Sequence, residues 1–148
     1  MNVRAATAAD AGAIAHLIGQ LRTAEGLEEP VAAESVLAYL GDPGTEIFVV
    51  SADAADDAVL FGVLSLRVML DLFHGAPTAL IQELVVAEGH RGAGVGGALL
   101  DVAIGRAREL GCVEIAVVTG EHNEAGQAAY RSRGFEQEGV YFEQHLEE

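Results

Sequence analysis

The apolar positions of this chain change period several times over 148 residues, and each change predicts an element. Asn2 to Ala6 alternates and predicts a strand. Thr7 with Asp10 has the spacing of a capping box, ahead of a helix through Ile14, Leu17, Ile18 and Leu21 that Gly26 breaks. Pro30 opens a second predicted helix through Val36, Leu37 and Leu40, ended by the Gly-Asp-Pro-Gly run from Gly41. Glu46 to Ala52 predicts a strand and Asp53 to Asp57 a polar turn. Val59 to Leu70 predicts a long strand, rich in β-branched and apolar residues. Asp71 to Thr78 predicts a loop, Ala79 to Val86 a strand, Val95 to Leu110 a helix and Val113 to Thr119 a strand. Asn123 to Arg133 predicts a last helix. Phe135 to Glu138 and Val140 to Leu146 predict two short closing strands around Gly139. No internal repeat or low-complexity linker interrupts the series.

The predicted order is β-α-α-β-β-β-α-β-α-β-β, an α/β arrangement within one compact domain, residues 1–148. There is no run of eighteen or more apolar residues and no charged-then-apolar leader, which favours a cytoplasmic protein without a membrane partner. Cys112 is the only cysteine, so no internal disulfide can form. A buried structural thiol at the start of a strand is its simplest role.

The stretch Leu84 to Leu100, LVVAEGHRGAGVGGALL, carries most of the chemistry. An apolar strand runs into a glycine loop that opens a helix. Backbone N–H groups at Gly92, Gly94, Gly96 and Gly97 can approach a ligand closely, and the helix offers unpaired amides and a positive dipole end. Arg91 adds a fixed positive charge. Such a loop suits phosphate, and above all a pyrophosphate. The phosphate loop of kinases and GTPases needs Gly-Lys-Ser/Thr, and no lysine lies near this loop. Gly92, Gly94 and Gly97 formally match a dinucleotide fingerprint. However, Ala87 to Arg91 separate them from the strand, and only about fifty residues follow.

Read as Arg-x-x-Gly-x-Gly, with Arg91, Gly94 and Gly96, the loop resembles the acetyl-CoA loop of the GCN5-related N-acetyltransferase (GNAT) family. NEAGQAAYRSRGF, Asn123 to Phe135, resembles the family's second signature: an Asn opening a helix, a Tyr seven residues later, then Gly-Phe. Asn123 is a good N-cap and Gly134 suits the position just past the helix end. Gly126 departs from the pattern, where relatives usually carry Ala. The two signatures cover about a third of the chain.

The resemblance implies a mixed, twisted β-sheet flanked by helices on both faces. It implies acetyl-CoA as co-substrate, held by Arg91, Gly92, Ala93, Gly94, Val95, Gly96 and Gly97, with a contribution from Asn123. It further implies that the strands Ala79–Val86 and Val113–Thr119 splay, so that the pantetheine arm pairs with the backbone near Val85 and Val86. The Val85 amide would then be the oxyanion donor. Dimers are common in such folds, and the C-terminal strands could serve one.

Transfer of an acetyl group to an amine needs a neutral amine, and an alkylammonium with pKa near 10.4 is neutral in only about one molecule in a thousand at pH 7. A base is therefore useful. Glu83 is the candidate, in an alternating strand that puts it on one face with Ile81 and Val85. Pairing with a basic side chain, or a solvated rim, is the alternative for a carboxylate there. Tyr130 is the candidate acid for the leaving thiolate; the alternative is an aromatic that packs against the cofactor.

Charge bears on the acceptor. The chain has 23 Asp and Glu against eight Lys and Arg, a formal net charge of −15. That argues against a nucleic-acid partner and favours a cationic small molecule or basic peptide amine, unless the surface serves solubility alone. Glu25, Glu28, Glu29, Asp71 and His74 are candidate acceptor-site residues, with a solvated turn as the alternative for the glutamates. His90 is placed to lie along the pyrophosphate and His122 near the thioester, while His16 and His145 read as surface positions. The histidines show no metal-ligand spacing, so no metal is expected. The expected activity is an acetyl-CoA-dependent N-acetyltransferase; the alternative is an inactive acyl-CoA-binding sensor.

Overall fold

The computed structural model describes residues 1–52 and 59–147. It divides into two compact units, Met1–Val117 and Val118–Glu148. The predicted polar turn Asp53–Asp57 lies outside the described residues.

In the first unit, β1 (Asn2–Ala5), β2 (Thr45–Ser51), β3 (Leu60–Asp71), β4 (Ala76–Val86) and β5 (Ile115–Val117) form one sheet in chain order. The first four strands are antiparallel neighbours and β5 runs parallel to β4, so the sheet is mixed. Helices α1 (Ala11–Ala24) and α2 (Ala33–Leu40) cover one face, where Ile14, Leu17 and Val36 pack in a core with Ile47, Val49, Val63 and Val85. Helix α3 (Val95–Glu109) covers the other face. Its contact is close at Gly62, where an added Cβ would lie 2.6 Å from Val95 Cγ1 and 3.0 Å from Leu99 Cδ1.

The entry to α1 follows the predicted capping logic. A 3-10 turn, Ala8–Asp10, leads into the helix, and Asp10 Oδ2 accepts from the Thr7 N–H at 2.8 Å. Arg4 on β1 donates to both Asp10 oxygens at 2.8 Å, so the 5 % exposed carboxylate is paired.

Several predicted boundaries move. Pro30 does not open α2; its N-cap is Ala32, in extended backbone. The loop expected over Asp71–Thr78 shrinks to a turn over residues 72–75, because the β3–β4 ladder continues through Leu70–Pro77 and Asp71–Ala76. Pro77 lacks an N–H, yet its carbonyl accepts from the Val113 N–H at 3.0 Å. The strand expected over Val113–Thr119 is only Ile115–Val117.

In the second unit, α4 spans Glu124–Ser132. The two closing strands expected over Phe135–Glu138 and Val140–Leu146 are absent, and residues 135–147 carry no regular secondary structure. Among the described residues the apolar pattern there finds no strand to pair with, and Val140, Phe142 and Leu146 stand more than 80 % exposed. A strand is a property of a pair, so pattern alone does not make one.

Candidate active site

The central feature is a bulge in β4. Ser65 pairs with Glu83 and Leu66 with Ile81, so β4 carries one extra residue, Gln82, at this point. Paired residues share a face of the sheet. Glu83 therefore faces α1 and α2 with Ser65, Val63 and Val85, whereas Ile81 lies with Leu66 on the α3 face. This corrects the expectation that Glu83 and Ile81 share a side; the extra residue resets the alternation. Gln82 points toward α2, where its Oε1 accepts from the Tyr39 hydroxyl at 2.7 Å.

Glu83 is half-buried and held. The Ser65 Oγ accepts from the Glu83 N–H at 2.9 Å and donates to Glu83 Oε1. Beyond it, the Tyr39 ring lies 5.8 Å from the Arg67 guanidinium carbon, and Arg67 pairs with Asp42 at 2.9 Å. Burial is the main cause that raises the Tyr39 phenol, so it stays protonated and able to donate. Sequence reading passed over Ser65, Tyr39 and Gln82. Their partners lie 18 to 43 residues away in the chain, a separation local patterning cannot bridge.

The backbone past Glu83 has an open edge. The Ala87 N–H donates to the Phe61 carbonyl at 2.8 Å. Bonded and non-bonded pairs alternate along an antiparallel ladder, so Val85 belongs to a bonded pair with Val63. The N–H and C=O of Leu84 and Val86 then turn away from β3. On that side β5 pairs only with Ala79–Ile81, leaving Leu84 and Val86 without a strand partner among the described residues. The Val86 carbonyl instead accepts from Arg91 Nε at 3.4 Å. The open donors are thus Leu84 and Val86, and the expected role of the Val85 amide is corrected: it is committed to the ladder.

This edge leads into the glycine loop. Gly92 and Gly94 adopt φ of 80° and 84°, a left-handed conformation that side chains disfavour. Gly94 is the N-cap of α3, and Arg91 through Gly94 are exposed. The amides of Val95, Gly96 and Gly97 begin the helix with no preceding turn to bond. These groups fit an anionic cofactor such as a pyrophosphate. His90 stacks on Phe61 with ring centroids 3.8 Å apart, which ties the loop to β3.

The hairpin residues fall elsewhere. Asp71 and His74 sit at the β3–β4 turn, and six residues of β4 lie between Ala76 and Glu83, roughly 20 Å at the rise of a strand. His74 Nδ1 contacts Asp71, and its Nε2 lies 3.3 Å from Glu114, the residue just before β5. The hydrogen bond with Asp71 raises His74 above its ordinary 6.5 and lowers Asp71 below 3.8. The ligand atoms of these three residues lie within 4.8 Å of one another, a grouping the histidine spacing did not reveal. As an ion-pair cluster it ties the hairpin to β5, and Asp71 and His74 are thereby removed from Glu83. Glu25, Glu28 and Glu29 are exposed on the α1–α2 connection; among the described residues no hydrogen bond or ion pair links them to Glu83. His16, His122 and His145 are exposed. Cys112 is half-buried, and burial raises its thiol, which keeps it protonated and unreactive.

In the second unit, Tyr130 closes α4 through a Schellman motif. The Phe135 N–H reaches the Tyr130 carbonyl at 3.1 Å, the Gly134 N–H reaches Arg131 at 3.1 Å, and Gly134 takes φ of 89°. The Tyr130 and Phe135 rings meet edge to face at 5.8 Å. Tyr130 is buried, and burial raises its phenol, so it holds its proton at neutral pH. Asn123 is the N-cap: its Oδ1 accepts from the Gly126 N–H at 3.1 Å and its Nδ2 donates to Thr119 at 2.9 Å. Gly126 has a structural reason. A Cβ there would lie 2.3 Å from Asn123 Nδ2, so the glycine leaves room for the cap to fold back.

A mixed sheet with an open edge thus feeds a glycine-capped helix, with a carboxylate presented beside that edge. The acetyltransferase (GNAT) family model matches residues 13–135. The chain belongs to that family and is an acetyltransferase by class. No curated protein matches the sequence. Among solved structures, a proposed acetyltransferase from Agrobacterium tumefaciens is 27 % identical, with 99 % of this chain and 100 % of that one covered and a TM-score of 0.85. A Trypanosoma brucei acetyltransferase is 21 % identical, with coverage of 98 % and 99 % and a TM-score of 0.81. An aminoglycoside acetyltransferase from an uncultured soil metagenomic sample is 19 % identical, with coverage of 99 % and 96 % and a TM-score of 0.83. No helix among the described residues is long and apolar enough to cross a membrane.

Proposed function

We propose that the protein transfers the acetyl group of acetyl-CoA to a primary amine, with Glu83 as base and Tyr130 as acid. The observation that carries this reading is the bulge at Gln82, which presents Glu83 beside the open edge of β4 just ahead of the glycine loop. Acetyl-CoA supplies an activated thioester. Arg91 and the first amides of α3 hold its pyrophosphate, and the backbone of Leu84 and Val86 holds its pantetheine arm. The outward N–H of Leu84, two residues from Val86 on the same edge, replaces that of Val85 as the oxyanion donor. Glu83 takes a proton from the acceptor ammonium, and the neutral amine attacks the thioester carbonyl. Tyr130 protonates the departing thiolate; its assignment rests on the match of Asn123–Phe135 to the family signature and on its retained proton. Asn123 serves this arrangement as a cap.

The acceptor we favour is a cation, because the chain carries a net charge of −15 and an aminoglycoside acetyltransferase shares its fold. A diamine should be acetylated in preference to glutamate, at a rate that falls as salt rises. Preference for glutamate would separate the charge balance from substrate choice. Cofactor binding is tested by melting. Acetyl-CoA should raise the melting temperature while NAD and ATP at equal concentration do so far less, and Gly94→Glu should abolish the shift. Equal stabilisation by NAD would refute the cofactor assignment.

A further inference from the structure

We propose that Ser65 is a positioning residue that fixes the Glu83 carboxylate so that Oε2 alone receives the acceptor's proton. Ser65 lies on β3, 5 % exposed, directly across the bulge from Glu83. Its hydroxyl both donates to and accepts from Glu83, and the Tyr39 phenol is in hydrogen-bond reach of it. The proton goes to Glu83 Oε1 and a lone pair accepts the Glu83 N–H, so main chain and side chain of one residue are held by one oxygen. Among the described residues no donor meets Oε2. The acceptor N–H bond breaks with its electron pair left on nitrogen, an O–H bond forms on Oε2, and Ser65 keeps Oε1 out of the exchange. The burial of Ser65 also has this explanation. It stands beside Val63 on a face otherwise filled by Ile47, Val49 and Val85, where an unpaired hydroxyl would be costly. The groups facing Glu83 are Ser65 from β3, Gln82 from β4 and Tyr39 from α2, with Arg67 and Asp42 behind Tyr39.

This inference rests on Glu83 being the base, and the test separates the two. Glutamate side-chain carboxyls are labelled with carbon-13, the Glu83 resonance is assigned by its loss in Glu83→Gln, and its titration is followed in wild type and Ser65→Ala. A hydrogen bond donated to a carboxylate favours the charged form. Its removal should raise the midpoint by roughly 0.4 to 1 pH unit, the net worth of one hydrogen bond expressed as proton affinity. Ser65→Cys, close in size with a weaker donor, should fall between, and it keeps the test available if Ser65→Ala fails to fold. In acetylation of 1,4-diaminobutane, Ser65→Ala should lower kcat with the acetyl-CoA KM unchanged, and should cost nothing further when added to Glu83→Gln. A midpoint that stays put in a folded Ser65 variant overturns the proposal. A shifted midpoint with full activity in both Ser65→Ala and Glu83→Gln overturns Glu83 as the base and leaves the coupling standing.

Discussion

Gly62→Ala probes how tightly the glycine loop is tied to the sheet. Gly62 lies on β3 against the first turn of α3, and its φ is not positive, so alanine suits the backbone. The new methyl would stand 2.6 Å from Val95 Cγ1, 3.0 Å from Leu99 Cδ1 and 3.3 Å from the Val85 carbonyl oxygen. Carbon atoms pack at about 3.5–4.0 Å, so the overlap with Val95 is about 1 Å. Val95 and Leu99 are 3 % and 0 % exposed, and a valine in a helix has one favoured rotamer, so neither side chain can swing clear. The helix itself must lift. Overpacking of this kind costs about 1–3 kcal/mol, partly offset by about 0.4–1 kcal/mol from a stiffer unfolded chain. A net loss of about 1–2 kcal/mol lowers Tm by roughly 2–8 °C at this chain length. Val95 directly follows Gly94, so the displaced helix carries the loop with it, and the stabilisation by acetyl-CoA should shrink as well. Gly105→Ala is the control. It makes the same change within α3, where a Cβ would meet nothing within 4 Å, and should raise stability by about 1 kcal/mol. Melting curves of the three proteins with and without acetyl-CoA decide the matter. A Gly62→Ala protein as stable as wild type, with its full acetyl-CoA shift, would refute the reasoning.

Two further perturbations act away from the loop. Asp10→Ala removes the paired carboxylate that joins β1 to the start of α1, and should cost about 2–3 kcal/mol, or roughly 5–10 °C in Tm. Because Arg4 lowers the Asp10 carboxyl below 3.8, this stabilisation is present above 3.8 and is lost as pH falls through the lowered folded value; calorimetry of Asp10→Asn against wild type across acid pH checks it. The His74 cluster has two limits. His74, raised above 6.5, contributes fully below 6.5 and stops contributing as pH rises through its folded value, while the contribution of Asp71 disappears only as pH falls through a value below 3.8. His74→Ala should therefore lower Tm most between 3.8 and 6.5 and least at alkaline pH, and an equal loss at both would show that the imidazolium is not what ties the hairpin to β5.

Local chemistry made much of this protein legible in its sequence. The Thr7–Asp10 spacing marked the start of α1, the glycine loop marked the start of α3, and Gly134 marked the end of α4. What stayed hidden depends on pairing. Nothing in Ile81-Gln82-Glu83-Leu84 announces a bulge, because the extra residue exists only relative to β3. The face of Glu83, its bond to Ser65 and the outward amides of Leu84 and Val86 all follow from that one offset. Tyr39 was invisible for the same reason, being an ordinary residue on α2 until Gln82 is turned toward it. Asp71 and His74 were read as part of a loop, yet the β3–β4 ladder continues through Pro77 and Ala76, and the Pro77 carbonyl serves the sheet. The closing strands were read from apolar residues that find no strand to pair with among the described residues.

The most direct measurement of the central claim is the initial rate of thiol release from acetyl-CoA with 1,4-diaminobutane as acceptor, in wild type, Glu83→Gln and Tyr130→Phe. Release should require the diamine. Tyr130→Phe should slow it by roughly ten- to a thousandfold with little change in the acetyl-CoA KM, as the loss of a general acid does, and Glu83→Gln should slow it most at low pH, where freeing the amine is hardest. Release at the wild-type rate in both variants across the pH range would contradict the account and leave Glu83 and Tyr130 outside the reaction.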